Sequence, residues 1–182
     1  MREKQSYKQL YLLHYRKLYN YGRKFTDNIT LIEDSIQDVF LDYWKKEEGA
    51  VQQAALTGYL FSAFRYSLFH KLNRDRKTVA WEQETEEPDF SADHVLLQTE
   101  ATLEMQQKVQ QALLQLTGKQ REALFLRFYE GLAYEEIAVI MGITTKASYK
   151  LMARSLLQLK NTLSPALWLL LWHSLLAQQK II

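Results

Sequence analysis

Few residues in this chain have the types and spacing for covalent chemistry. His14, His70, His94 and His173 are scattered and share no metal-ligand spacing. Cysteine is absent, which excludes disulfides, Cys-based zinc sites and thiol catalysis. No glycine-rich loop is built to cradle a phosphate. The paired acids Glu33-Asp34 and Glu135-Glu136 are adjacent on helical segments, so they point apart and suit solvent faces. No catalytic centre, metal site or cofactor site is therefore expected, and a helical enzyme is the weakest reading. Binding chemistry remains. Lys146, Tyr149, Lys150, Ala153 and Arg154 recur at three- and four-residue steps and share one helix face. Cations on such a face bond phosphates, and its other side chains can reach base edges. A second cluster places Arg65, Lys71, Arg74, Arg76 and Lys77 among Phe61, Phe64, Tyr66 and Phe69. Charge interleaved with rings suits single-stranded nucleic acid. Those rings also recur at helical steps, so most of them are expected in a core. A third group sets Asp34, Gln37 and Asp38 beside Phe40, an acidic-amide row with an aromatic edge that suits a basic helical partner.

The elements that must position these residues are helices. Only 6 Gly and 2 Pro punctuate 182 residues, and no stretch alternates as a strand would. Leu10, Leu13, Leu18, Tyr21 and Phe25 form an apolar stripe on a first helix. Thr30 and Glu33 fit a capping box opening a second, with Ile32, Ile36, Val39, Phe40, Tyr43 and Trp44 on one face. A basic, aromatic helix runs from Tyr59 to about Lys77. In the second half, a helix is expected from about Asp93 to Leu116. Thr117 and Gln120 fit another capping box, and Gly131 suits a left-handed helix end. A short helix ending at Gly142, a tight turn, and a helix capped by Thr144 then make a helix-turn-helix candidate. Ile137, Met141, Ile143 and Leu151 can close its small core, with Ala138 at the close approach. Ser164-Pro165 opens a last helix.

Charge divides the chain in the same places. Residues 1–80 carry 14 Lys/Arg against 9 Asp/Glu, a net of +5. Residues 81–104 carry 8 Asp/Glu and no Lys/Arg, and residues 105–182 carry 9 Lys/Arg against 4 Asp/Glu. Two basic blocks, fit for a polyanion, flank an acidic stretch that reads as a linker. The expected organisation is all-α: a helical domain over 1–80, an acidic linker over 81–99, a helix-turn-helix domain over 100–163 and a hydrophobic tail helix over 164–182. The tail segment 166–177 is apolar nearly all round but too short to span a bilayer, which needs about 20 residues. It is expected to be buried, through Leu167, Trp168, Leu171, Trp172 and Leu175, on the protein's own domains or on a partner.

The segment from Leu116 through Gln120-Arg121-Glu122, Leu126-Arg127, Gly131 and Glu136-Ile137-Ala138 to Arg154 resembles the fourth conserved region of sigma factors. Glu33-Asp34, Gln37-Asp38-Val39-Phe40 and Trp44, then Tyr59-Leu60, Arg65, Leu72 and Arg74, resemble the second region. Both matches stand in the family's order, over about residues 7–78 and 100–163, with no third domain between them. The chain is thus similar to extracytoplasmic-function sigma factors of the sigma-70 family. The resemblance implies a cytoplasmic transcription initiation factor that binds core RNA polymerase and promoter DNA. It has no small-molecule substrate, and an anti-sigma factor is its usual regulator. It implies that Asp34, Gln37, Asp38 and Phe40 bind core polymerase. Arg65, Lys71, Arg74, Arg76 and Lys77 would hold the minus-ten element. Lys146, Ser148, Tyr149, Lys150 and Arg154 would read the minus-thirty-five element. The chain departs from the family pattern at Tyr66 and His70, and again at Ser148, Tyr149 and Leu151, so base preference does not carry over. A helix-turn-helix regulator that needs no polymerase is the alternative, but it leaves the match at residues 33–44 to chance.

Overall fold

The computed structural model describes residues 2–45, 55–79 and 103–178, and every regular element among them is helical. The chain forms two compact units, residues 1–88 and 89–182. The expected linker, residues 81–99, falls outside the described residues.

The first unit packs α1 (Arg2–Gly22), α2 (Ile29–Trp44) and α3 (Leu56–Val79) around an aromatic core. Tyr21 lies 5.2 Å, centroid to centroid, from both Phe25 and Phe61, and Phe25 meets Phe69 edge-on at 4.9 Å. Ile32, Ile36 and Phe40 of α2 and Leu60, Phe64 and Leu68 of α3 are fully buried around them. The helical spacing of these positions gives each helix one apolar face, and burying that face stabilises the unit. In α1 the buried row is His14, Leu18 and Tyr21, whereas Leu13, expected in the stripe, is 63% exposed. The start of α2 also differs from expectation. Asn28, not Thr30, caps the helix, its Oδ1 accepting the Leu31 N–H at 3.1 Å. Glu33 is instead drawn to α1, where its carboxylate accepts the Tyr15 hydroxyl at 3.0 Å. Burial, together with this bond, pushes the Tyr15 phenol up to about 12.

Gly22 ends α1 in the middle of this packing. A Cβ there would lie 2.9 Å from Ile32 Cγ2 and 2.9 Å from Phe64 Cζ, both on fully buried side chains. Gly22→Ala is expected to destabilise the first unit by about 1–3 kcal/mol, the usual cost of overpacking a filled core. Urea unfolding followed by circular dichroism reads this directly, and an unchanged midpoint would show that α1 can slide.

His14 gives the same unit a pH dependence. Its ring is buried and Nδ1 has no hydrogen-bond partner. Burial, and secondarily the Lys17 charge, hold its imidazole below the usual histidine range. The unfolded chain therefore takes up this proton first. Stability is fully present above about pH 6.5, the ordinary histidine value, and declines as pH falls toward the lower folded value. Unfolding free energies at pH 7.5 and 5.5 should differ more for the wild type than for His14→Leu. Equal differences would assign the acid sensitivity elsewhere.

The second unit contains α4 (Leu103–Leu114), α5 (Gly118–Leu124), α6 (Tyr134–Met141), α7 (Thr145–Thr162) and α8 (Pro165–Gln178). Residues 93–102 of the expected first helix lie outside the described residues. The Thr117–Gln120 capping box is formed in both directions, at 3.3 and 2.8 Å. The rod of α5 continues into a π-helical turn, Phe125–Tyr129, closed by Glu130 N–H on Phe125 C=O at 3.2 Å. Gly131 then takes a left-handed φ of 73°. Arg121 is buried, and its guanidinium donates to the carbonyls of Leu113 and Leu116 where α4 runs out of intrahelical partners. Ser164 and Pro165 open α8 as expected, with Leu167 N–H on Ser164 Oγ at 3.4 Å. One face of α8, Leu167, Leu171 and Leu175, is buried on this unit. Of the five residues expected to be buried, these three are; Trp168 is half-buried and Trp172 is 36% exposed, and on the opposite side Leu169 and Leu170 are more than half exposed. One neighbouring layer covers only one side of a helix.

Candidate nucleic-acid interface

Helices α6 and α7 build the turn that exposes the cationic face. Glu136 Oε2 accepts the Ala133 N–H at 2.8 Å, the return half of a capping box, because Ala133 has no side-chain acceptor of its own. Gly142 closes α6 at φ 65°, and no atom lies within 4 Å of where its Cβ would stand. Glycine is required there by backbone conformation alone, not by crowding. Ile143 N–H returns to Ala138 C=O at 2.9 Å, and Thr144 Oγ1 accepts the Ala147 N–H at 3.2 Å to start α7. Ile137, Ala138 and Met141 are buried beneath the turn, as expected. The inward residues of α7 are Ser148, Met152, Ser155 and Leu159; Leu151 and Ile143 are only half-buried.

Lys146, Tyr149, Lys150, Ala153 and Arg154 are all exposed on the outer face of α7. Ser148 is corrected: it is 1% exposed, and its hydroxyl lies 3.0 Å from Tyr134 C=O and 2.8 Å from Thr145 C=O. It ties α7 to the start of α6 and presents nothing outward. Sequence reasoning missed the group beside it. The Tyr149 ring lies 4.1 Å from the Tyr134 ring, and the Arg127 guanidinium stands 4.9 Å from the same Tyr134 centroid. The spacing of Tyr134 and Tyr149, 15 residues apart across a turn, gave no local signal.

In the first unit, Asp34, Gln37 and Asp38 are exposed along α2. Phe40 is corrected: it is 1% exposed and packs on Tyr11 at 4.9 Å. Counting along the helix from Asp34, Leu41 and Trp44 supply the exposed apolar surface instead, at 49% and 42%. On α3, Phe61, Phe64 and Phe69 are in the core, and Tyr66 is exposed, stacked with His70. Arg65 lies 4.2 Å over the Phe69 ring, and Arg74 is exposed. Lys71 is largely covered and pairs with Asp38 at 2.7 Å. That bond joins two candidate surfaces along a groove of about 470 Å³, lined by Asp38, Leu41, Tyr59, Tyr66, His70 and Lys71. The side chains of Arg76 and Lys77 lie outside the described residues. Among the described residues no cluster of His, Asp or Glu could hold a metal ion, and no helix is long and apolar enough to cross a membrane.

Among the described residues the fold is all-helical, and its second unit contains a helix-turn-helix whose second helix exposes a cationic face. Residues 106–159 match the family model described as sigma-70, region 4. Over 172 residues the chain is 25% identical to RNA polymerase sigma factor YlaC of Bacillus subtilis (strain 168), spanning 90% of this chain and 95% of that one. Its fold is similar to that of the sigma factor RpoE in a co-crystal structure with the anti-sigma factor NepR from Bartonella quintana. The TM-score is 0.59 at 22% identity, over 86% of this chain and 96% of that one. The second unit thus carries a match to sigma-70 region 4, and over most of its length the chain is similar to a sigma factor.

Proposed function

We propose that the chain binds core RNA polymerase and directs it to promoters by recognising minus-ten and minus-thirty-five elements. The observation that carries this reading is the outer face of α7, where Lys146, Lys150 and Arg154 stand exposed at four-residue steps beside Tyr149. Such a face fits the major groove, with its cations on phosphates. The domain with that face would read the minus-thirty-five element. In the first unit, Asp34, Gln37 and Asp38, with Leu41 and Trp44 in place of Phe40, offer an acidic and apolar row to a basic helical partner on the polymerase. Arg65 and Arg74, with Lys71 once released from Asp38, would hold minus-ten phosphates, and Tyr66 offers an exposed ring for stacking. Arg76 and Lys77 extend the same basic helix. In this reading residues 1–80 and 100–163 are the two working domains, joined by the acidic segment 81–99. The reading extends to an anti-sigma partner, the class of protein with which the Bartonella quintana factor is in complex.

The test is co-purification with core RNA polymerase, followed by run-off transcription on genomic fragments. Core binding with initiation at defined starts is the expected result. A chain that binds DNA alone and never engages core would be a polymerase-independent regulator.

A further inference from the structure

We propose that Tyr149 is the base-reading side chain of the second unit, held in a set pose by Tyr134, with Tyr134 itself held by Arg127 and Ser148. The proposal deepens the reading above and rests on it.

The exposed residues of α7 divide by chemistry. Lys146, Lys150 and Arg154 carry charge at the end of long flexible stems, which suits phosphate contacts that fix position without reading sequence. Tyr149 differs in kind. It is half exposed, at 50%, and its hydroxyl both donates and accepts, so it can meet a base edge. An exposed side chain usually loses rotamer freedom on binding. Tyr149 has already lost much of it, because its ring lies 4.1 Å from that of Tyr134 at 30°.

Tyr134 is held in turn. Its carbonyl receives the buried Ser148 hydroxyl at 3.0 Å, from the residue next to Tyr149 on α7. Its ring carries the Arg127 guanidinium at 4.9 Å. Arg127 is anchored through Nη1 to Leu132 C=O at 2.9 Å, and its buried Nε has no hydrogen-bond partner. The guanidinium is thus committed to the protein side of the interface, where its charge faces a ring. Backbone, guanidinium and two rings form one continuous support that ends at the exposed Tyr149 edge.

The experiment uses the full chain bound to core polymerase, selecting from a DNA duplex library randomised over the minus-thirty-five region. The wild type should enrich a motif. Tyr149→Ala should reduce one or two adjacent positions of that motif to background, with the salt dependence of binding unchanged. Lys150→Ala should keep every position and lower the salt slope by about 1. Tyr134→Ala should blur the same positions as Tyr149→Ala, and Tyr134→Phe, which keeps the ring, should restore them. A Tyr149→Ala chain that enriches the full motif overturns the proposal and leaves the polymerase-dependent reading standing. A Tyr134→Ala chain with a sharp motif overturns the supporting stack. A wild type that enriches no motif removes the proposal and the reading beneath it together.

Discussion

Replacing Lys146, Lys150 and Arg154 together by alanine should flatten the salt dependence of promoter binding by about 3 in log–log slope and weaken binding at 0.1 M salt by roughly two to three powers of ten. The reasoning is counterion release. Each phosphate contact frees about one condensed cation, and the free cation concentration sets what that release is worth. All three side chains are exposed, so their removal should leave folding within about 0.5 kcal/mol of the wild type. Fluorescence anisotropy of the polymerase-bound chain on a labelled promoter duplex, titrated across salt, separates this from unfolding. A wild-type slope retained by the triple variant would place the phosphate contacts on another surface.

The second large effect concerns α8. Leu171→Ala is expected to cost about 2–5 kcal/mol, because a buried leucine leaves both its transfer energy and a cavity behind. Leu170→Ala, one residue away on the same helix, should change stability by less than about 0.5 kcal/mol. The contrast follows from burial: Leu171 is 6% exposed and Leu170 is 56% exposed. Thermal unfolding of the two variants beside the wild type checks it. Equal effects would mean that the helix binds the second unit by no single face.

Features carried by local chemistry were legible in the sequence. The Thr117 box, the left-handed glycines at 131 and 142, the Thr144 cap and the Ser164-Pro165 start each depend on residues within one turn, and each is present. What failed depended on partners distant in sequence. Glu33 has the spacing for a capping box with Thr30, but Tyr15 lies 18 residues upstream and takes its carboxylate. Asn28 then holds the cap. Phe40 sits in a motif that also contains exposed residues, and only the packing of α1 on α2 puts its ring inward against Tyr11. Ser148 lies one residue before an exposed position, and a helix turns each residue about 100° from the last. That single step separates a buried hydroxyl from an outward tyrosine. The apolar composition of α8 correctly signalled contact, but composition does not say how many sides will find a neighbour.

The π-helical turn at Phe125–Tyr129 has a consequence for chain length. A π turn spends one more residue per turn than an α turn, and such a residue can be deleted without breaking the rod. The wider turn absorbs that residue, so a relative one residue shorter here would keep the helix on either side nearly in register. What would change is the local placement of residues 125–129, Arg127 among them. Arg127 stands over the Tyr134 ring, so one deletion in this turn would leave a folded helical protein in which that ring had lost its cation while α7 kept its sequence.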